Sequence, residues 1–139
     1  MKVTVSIHAV TTDGGEQTTT TQTVQGFLRE SENSLEIAYR EAGGEESLGN
    51  TRTFLRLFAD HMELTRQGDY GGMLVMEAGH THTCEYMTPF GAMMLEVTAS
   101  AYHHDVDSTR GGTMRVCYTL VAGGDPITHE LCVSVAPVM

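Results

Sequence analysis

His80, His82, Cys84 and Tyr86 recur at every second position of one short segment. In an extended strand, side chains at that spacing share a face, so two imidazoles, a thiol and a phenol would project together. Imidazole nitrogens and thiolates are competent ligands for zinc and other late transition metals. A metal-dependent enzyme at His80, His82 and Cys84 is therefore one reading of the chain. The other is that these are lumen or surface residues satisfied by hydrogen bonds.

A His-x-His pair on a barrel strand is also similar to the first cupin motif, but the spacing departs from it. The acidic residue, Glu85, follows His82 by three positions instead of four or five, and it falls on the opposite face of a regular strand. Met94 stands three residues after Gly91, where a second cupin motif would want His. No metal and no cofactor is expected. His103-His104-Asp105 places two imidazoles on opposite faces and reads as a solvated strand end. His8, His61 and His129 stand singly in different segments, with nothing to suggest a shared site.

Nucleophilic chemistry is equally thin. Cys84 would need an adjacent base and a lowered pKa, and its β-spaced neighbours His82 and Tyr86 lie too far for a well-made hydrogen bond. It reads as an inert buried thiol. Cys117 and Cys132 fall opposite the apolar residues of their strands. No Gly-x-Ser-x-Gly elbow or Walker-type phosphate loop is present. Paired carboxylates such as Glu45-Glu46 lie in a Gly-rich loop, where solvation is the default. No catalytic residue is expected.

The elements that must position these groups alternate with period two. Val3, Val5, Ile7 and Ala9 interleave with Lys2, Thr4, Ser6 and His8, and Asp13-Gly14-Gly15 makes a turn. Gln17 to Glu30 is Thr-rich, which suits a pleated surface, and Gly26 within it suggests a bend or bulge. Leu35, Ile37 and Tyr39 share one face. Thr51 to Phe58, Met62 to Arg66 and Met73 to Met76 read as further strands. The nearest rival is a helix over Thr51 to Met62, where Phe54, Leu55, Leu57 and Phe58 cluster.

A long pair follows, His80 to Thr88 and Ala92 to Val106, joined at Thr88-Pro89-Phe90-Gly91. Pro fixes φ and Gly permits a sharp reversal there, with Phe90 expected to cap the barrel end. In the second of these strands Met93, Leu95, Val97, Ala99 and Ala101 are expected on one face. Met114 to Leu120 and Ile127 to Val135 complete the alternation. The spacing predicts a single all-β domain over residues 1–139, an antiparallel eight- to nine-stranded up-and-down barrel. Closure removes edges that would otherwise aggregate, and about eight strands leave room for packed side chains or one small ligand.

Composition bounds the function. The 139 residues carry 18 acidic and 8 basic side chains, a net charge of −10. That balance excludes the basic patches that nucleic acids and anionic membranes require. The opening MKVTVSIHAV alternates instead of forming an apolar signal core, and three cysteines without CxxC spacing argue against a disulfide framework, so a cytoplasmic setting is expected.

The run Glu77-Ala78-Gly79-His80-Thr81-His82-Thr83-Cys84-Glu85-Tyr86-Met87-Thr88-Pro89-Phe90-Gly91 resembles the YwiB-like family of small bacterial proteins. Met93 to Thr98, Asp105 to Tyr118 with Gly111-Gly112, and the order of elements from Val3 to Tyr39 extend the likeness over nearly the whole chain. The resemblance implies a barrel similar to calycins and lipocalins, and no assigned activity.

The expectation that follows is a non-enzymatic binding module holding a small, partly apolar ligand in the lumen, lined by His80, His82, Tyr86, Met93, Leu95, Met114 and Tyr118. One alternative is an interaction protein with a packed barrel, acting through its outer face, such as the Thr18 to Thr23 strand, or through a homodimer contact. The other is the metal enzyme at His80, His82 and Cys84.

Overall fold

The structure, a computed structural model, describes residues 1–40, 51–68 and 70–138. The Gly- and Glu-rich loop carrying Glu45 and Glu46 lies outside the described residues. Ten strands follow in order: β1 (Lys2–Asp13), β2 (Glu16–Glu30), β3 (Leu35–Arg40), β4 (Arg52–Leu57) and β5 (Met62–Gln67), then β6 (Gly71–Met76), β7 (Thr81–Thr88), β8 (Gly91–His104), β9 (Gly112–Val121) and β10 (Ile127–Pro137). Each pairs antiparallel with its chain neighbour, and β1 pairs with β10 to close an up-and-down barrel. The count is ten, one for each alternating segment of the sequence, instead of eight or nine.

Alternation decides which face is inside. Val3, Val5 and Ile7 are buried on β1, Ile37 and Tyr39 on β3, Leu55 and Leu57 on β4, and Val133 and Val135 on β10. Thr51 to Met62 is strand β4 and a turn, not a helix. Its Arg52, Arg56, Leu55 and Leu57 separate by parity onto opposite faces.

Three local expectations are corrected. Gly26 lies in regular register opposite Val3 and Tyr39, with no bulge. A Cβ there would run into the carbonyl oxygen of Ala38 and approach Tyr39 Cβ to 3.2 Å, so close packing accounts for the glycine. Strand β8 carries its irregularity between Ala99 and Ala101. The extra residue reverses parity, leaving Ala101 exposed and turning Tyr102 inward. Phe90 is 96% exposed at the β7–β8 corner and caps nothing.

The meander gives the barrel two unlike ends. At one lie the β2–β3, β4–β5, β6–β7 and β8–β9 connections with both chain termini. There Val3, Leu57, Met62, Met76 and Met114 are sealed from solvent, and Tyr102 Oη donates to the Phe58 carbonyl at 2.7 Å. At the other end the corresponding inward positions are Thr11, Thr20, Arg66, Tyr86, Leu120 and His129. Together they leave part of the lumen unfilled. Thr18 to Thr23 of β2 pair with β1, and β3 joins β2 only over Gly26 to Glu30. Among the described residues no helix is long and apolar enough to cross a membrane.

Candidate functional site

The polar end of the lumen opens into a cavity of about 370 Å³. Its apolar wall comes from Ile7, Ala9, Leu64, Leu74, Leu95, Leu120 and Leu131, and its polar wall from Thr11, Thr20, Gln22, Tyr39, Arg66, Tyr86, Tyr118, His129 and Glu130. The volume falls within the range typical of small-molecule sites, roughly 300–1,000 Å³. Mixed walls of this kind suit a partly apolar molecule with one polar end.

Four of the polar groups form one cluster. The Arg66 guanidinium donates through Nη1 to Tyr86 Oη at 3.4 Å. Gly72, opposite both Arg66 and Tyr86 in the ladder, leaves the space this requires. A Cβ at Gly72 would come within 3.3 Å of the Tyr86 ring. Tyr118 and His129 are cross-strand partners and stack with ring centroids 4.9 Å apart. The imidazole Nδ1 lies 3.3 Å from Thr11 Oγ1. Its Nε2 is buried and has no hydrogen-bond partner among the described residues.

Electrostatics ties the cluster together. Burial, and then the nearby Arg66 charge, hold the His129 pKa below the ordinary histidine value, so the ring is neutral. Burial pushes the Tyr118 phenol up, and it stays protonated. The carboxylate at the rim, Glu130, is engaged by Arg115 at 2.7 Å, which holds its pKa down. The cluster thus sets the Arg66 guanidinium and the Tyr86 hydroxyl beside the protonated Tyr118 phenol and the neutral His129 imidazole, along a half-apolar space.

Of the residues expected from sequence to line the lumen, Tyr86, Leu95 and Tyr118 border this cavity. Met114 is fully buried in the sealed half, and Met93 is partly exposed near the mouth. His80 precedes β7 in an exposed turn, where its backbone N–H donates to the Glu77 carbonyl at 3.0 Å. His82 Nε2 lies 3.1 Å from Glu77 Oε1 at the sealed end. Cys84 is buried in the core. Among the described residues, no group of three or more His, Cys, Asp or Glu side chains is placed to hold a metal ion.

The remaining candidates stay apart. His8 pairs with Thr21 outside the barrel, and His61 stacks on Phe58 beside Asp60. His104 Nδ1 accepts from the Val106 N–H at 3.2 Å, while His103 is exposed. Burial raises the Cys117 thiol, the wrong direction for a nucleophile. Reasoning by segment missed Arg66, His129, Thr11 and Gln22. Their signal was parity: Arg66 continues the inward series of Met62 and Leu64, and His129 sits between Ile127 and Leu131.

A family model described as a domain of unknown function, DUF1934, matches residues 5–131. The chain belongs to the DUF1934 family. Among solved structures this DUF1934 chain is similar to the ywiB protein from Bacillus subtilis, with 20% sequence identity and a TM-score of 0.87. The likeness covers 99% of this chain and 92% of that one, and at such identity it establishes the shared barrel fold. The YwiB-like resemblance read from Gly79 to Gly91 is thereby shown. No curated protein sequence matches the chain.

Proposed function

We propose that this DUF1934 barrel is a non-enzymatic binding module that takes one small, partly apolar molecule into the open end of its lumen. The observation that carries this reading is the half-apolar cavity of about 370 Å³ bordered by Tyr86, Tyr118 and His129. A barrel serving only as a scaffold gains stability by filling such space, since interiors otherwise pack to crystal-like density. The sealed half of this barrel does so and the open half does not.

The test is titration with N-phenyl-1-naphthylamine, a neutral apolar dye whose emission rises out of water. One saturable site is expected in the wild type, and none in a folded Leu131→Trp variant whose indole occupies the cavity. Equal dye binding by the two proteins would overturn the reading.

A second reading, self-association, is favoured by the outer wall. Lys2, Phe27, Ala38, Phe54, Thr65 and Met73 form one continuous cross-strand row. Phe27 in that row is 56% exposed. Beside it Arg29 pairs with Glu36 at 2.6 Å and Arg56 with Glu63 at 3.6 Å. Apolar centres flanked by both charge signs are self-complementary under a two-fold axis. Light scattering that gives a dimer for the wild type and a monomer for Phe27→Glu would support it, and a wild-type monomer would sink it.

A further inference from the structure

We infer that the cavity selects a neutral carbonyl compound, its oxygen accepting hydrogen bonds from the Tyr118 and Tyr86 hydroxyls. The apolar body lies against Leu64, Leu74 and Leu131 of the same wall. This rests on the lumen reading and names the ligand class for the same site. The first support is an unused hydroxyl. Tyr118 is only 8% exposed, and its Oη makes no hydrogen bond among the described residues. It is not shut in as His129 Nε2 is, so the surface it keeps faces the cavity that the residue borders. A buried phenol usually has a hydrogen-bond partner, and this one is set to find it in a ligand.

The second support is polarity. Tyr86 Oη accepts from the Arg66 guanidinium at 3.4 Å, which leaves the phenol its own hydrogen to donate. Burial, above all, keeps the Tyr118 phenol protonated, so it too can donate. Tyr86 is near enough to bear on the same pKa, and the two hydroxyls therefore share one part of the wall. A carbonyl oxygen has two lone pairs and no hydrogen, so it meets both donors at once.

Charge narrows the class to neutral molecules. Arg66 is engaged by Tyr86 and by a further partner, and the Glu130 carboxylate is committed to Arg115 at 2.7 Å. An ionised ligand would leave water with no free counter-charge to meet it, and desolvation then opposes binding. An alcohol brings a hydrogen of its own, which two donating phenols are poorly placed to accept. A hydrocarbon of the same shape leaves both phenols unmet.

The experiment is displacement of N-phenyl-1-naphthylamine by 2-octanone and by 2-methyl-1-octene, which match in shape and differ in the carbonyl oxygen. Octanoate supplies the charged comparison. Tyr118→Phe keeps the ring and its stack on His129 and removes only the hydroxyl. It is expected to weaken 2-octanone at least about fivefold, as loss of one buried hydrogen bond implies, and to leave the alkene unchanged. If Tyr118→Phe does not fold, Tyr86→Phe serves, with the same split expected. Ketone and alkene affinities that both hold, or that fall together, in the folded variant overturn the carbonyl inference and leave the lumen reading intact. Tighter binding of octanoate than of 2-octanone to the wild type does the same. Absence of dye binding to the wild type overturns both.

Discussion

The imidazole of His129 lies nearly flat against the phenol ring of Tyr118, with planes 14° from parallel. Stacking on one side and Thr11 on the other fix the ring at the cavity wall, while its Nε2 remains buried and unpartnered among the described residues. An imidazole held this way costs stability, because its buried Nε2 makes no hydrogen bond among the described residues.

His129→Phe should therefore stabilise the empty barrel. Phe keeps the ring stack and removes a buried unsatisfied polar atom, a defect worth about 1–3 kcal/mol. Some of that is offset by the lost Thr11 contact, so a net gain of about 1 kcal/mol is expected, or a rise of a few degrees in Tm. Calorimetry of the two proteins checks it. A lower Tm for the variant would mean that Nε2 is satisfied in solution.

Much of this fold could be read from parity alone. Val3-Val5-Ile7 and Leu35-Ile37-Tyr39 announce inward faces because a strand reverses its side chains at every step. The bulge beyond Ala99 was not legible. Ala99, Ser100 and Ala101 are all small, so no change of residue type marks the reversal that exposes Ala101 and buries Tyr102. The site was half legible for a related reason. Tyr86, Leu95 and Tyr118 belong to an apolar stripe, but whether a stripe residue lies in the sealed or the open half depends on which strand ends meet. Met114 and Tyr118 share a stripe on β9 and fall on either side of that divide.

Stability should fall between neutral and mildly acidic pH. Burial, first, and Arg66, second, lower the folded-state pKa of His129. Burial chiefly lowers that of His104 as well. Above an unfolded value of about 6.5 both rings are neutral in either state. As pH falls through that value, the unfolded chain takes up protons that the folded protein resists, and stability is lost until the folded pKa is passed. Asp107, held down to about 2 mainly by Thr109, contributes its loss only at much lower pH. The urea midpoint at pH 5.5 should thus lie below that at pH 7.5, and His129→Phe should shrink the difference. An identical shift in the variant would remove His129 as a cause.

Two glycines with almost the same φ should respond very differently to alanine. Gly111 has φ +80° and Gly123 has φ +78°. Alanine at either adopts a left-handed conformation at a cost of about 1–2 kcal/mol. At Gly123 the new methyl meets nothing within 4 Å, so strain is the whole effect. At Gly111 it strikes the Val135 carbonyl oxygen and lies 2.9 Å from the carbonyl carbon, at the sealed end of the barrel. Overpacking adds about 1–3 kcal/mol there. Denaturant unfolding should place Gly111→Ala at least 1 kcal/mol below Gly123→Ala, and equal losses would mean that β10 yields freely at Val135.

The contrast between the barrel's two halves can be measured with one kind of substitution. Leu55 is wholly buried in the packed core, so Leu55→Ala removes atoms in contact on every side and leaves a cavity. A loss of about 3–4 kcal/mol is expected. Leu120 is half-buried and already borders empty space. Fewer contacts disappear when it is shortened, and the existing cavity only widens, so Leu120→Ala should cost about 1 kcal/mol. Dye affinity should move in the reverse order, falling for Leu120→Ala through lost wall contact and holding for Leu55→Ala. Similar unfolding losses for the two variants would show that side chains at the open end close over the lumen in solution, and a closed lumen leaves no room for a ligand.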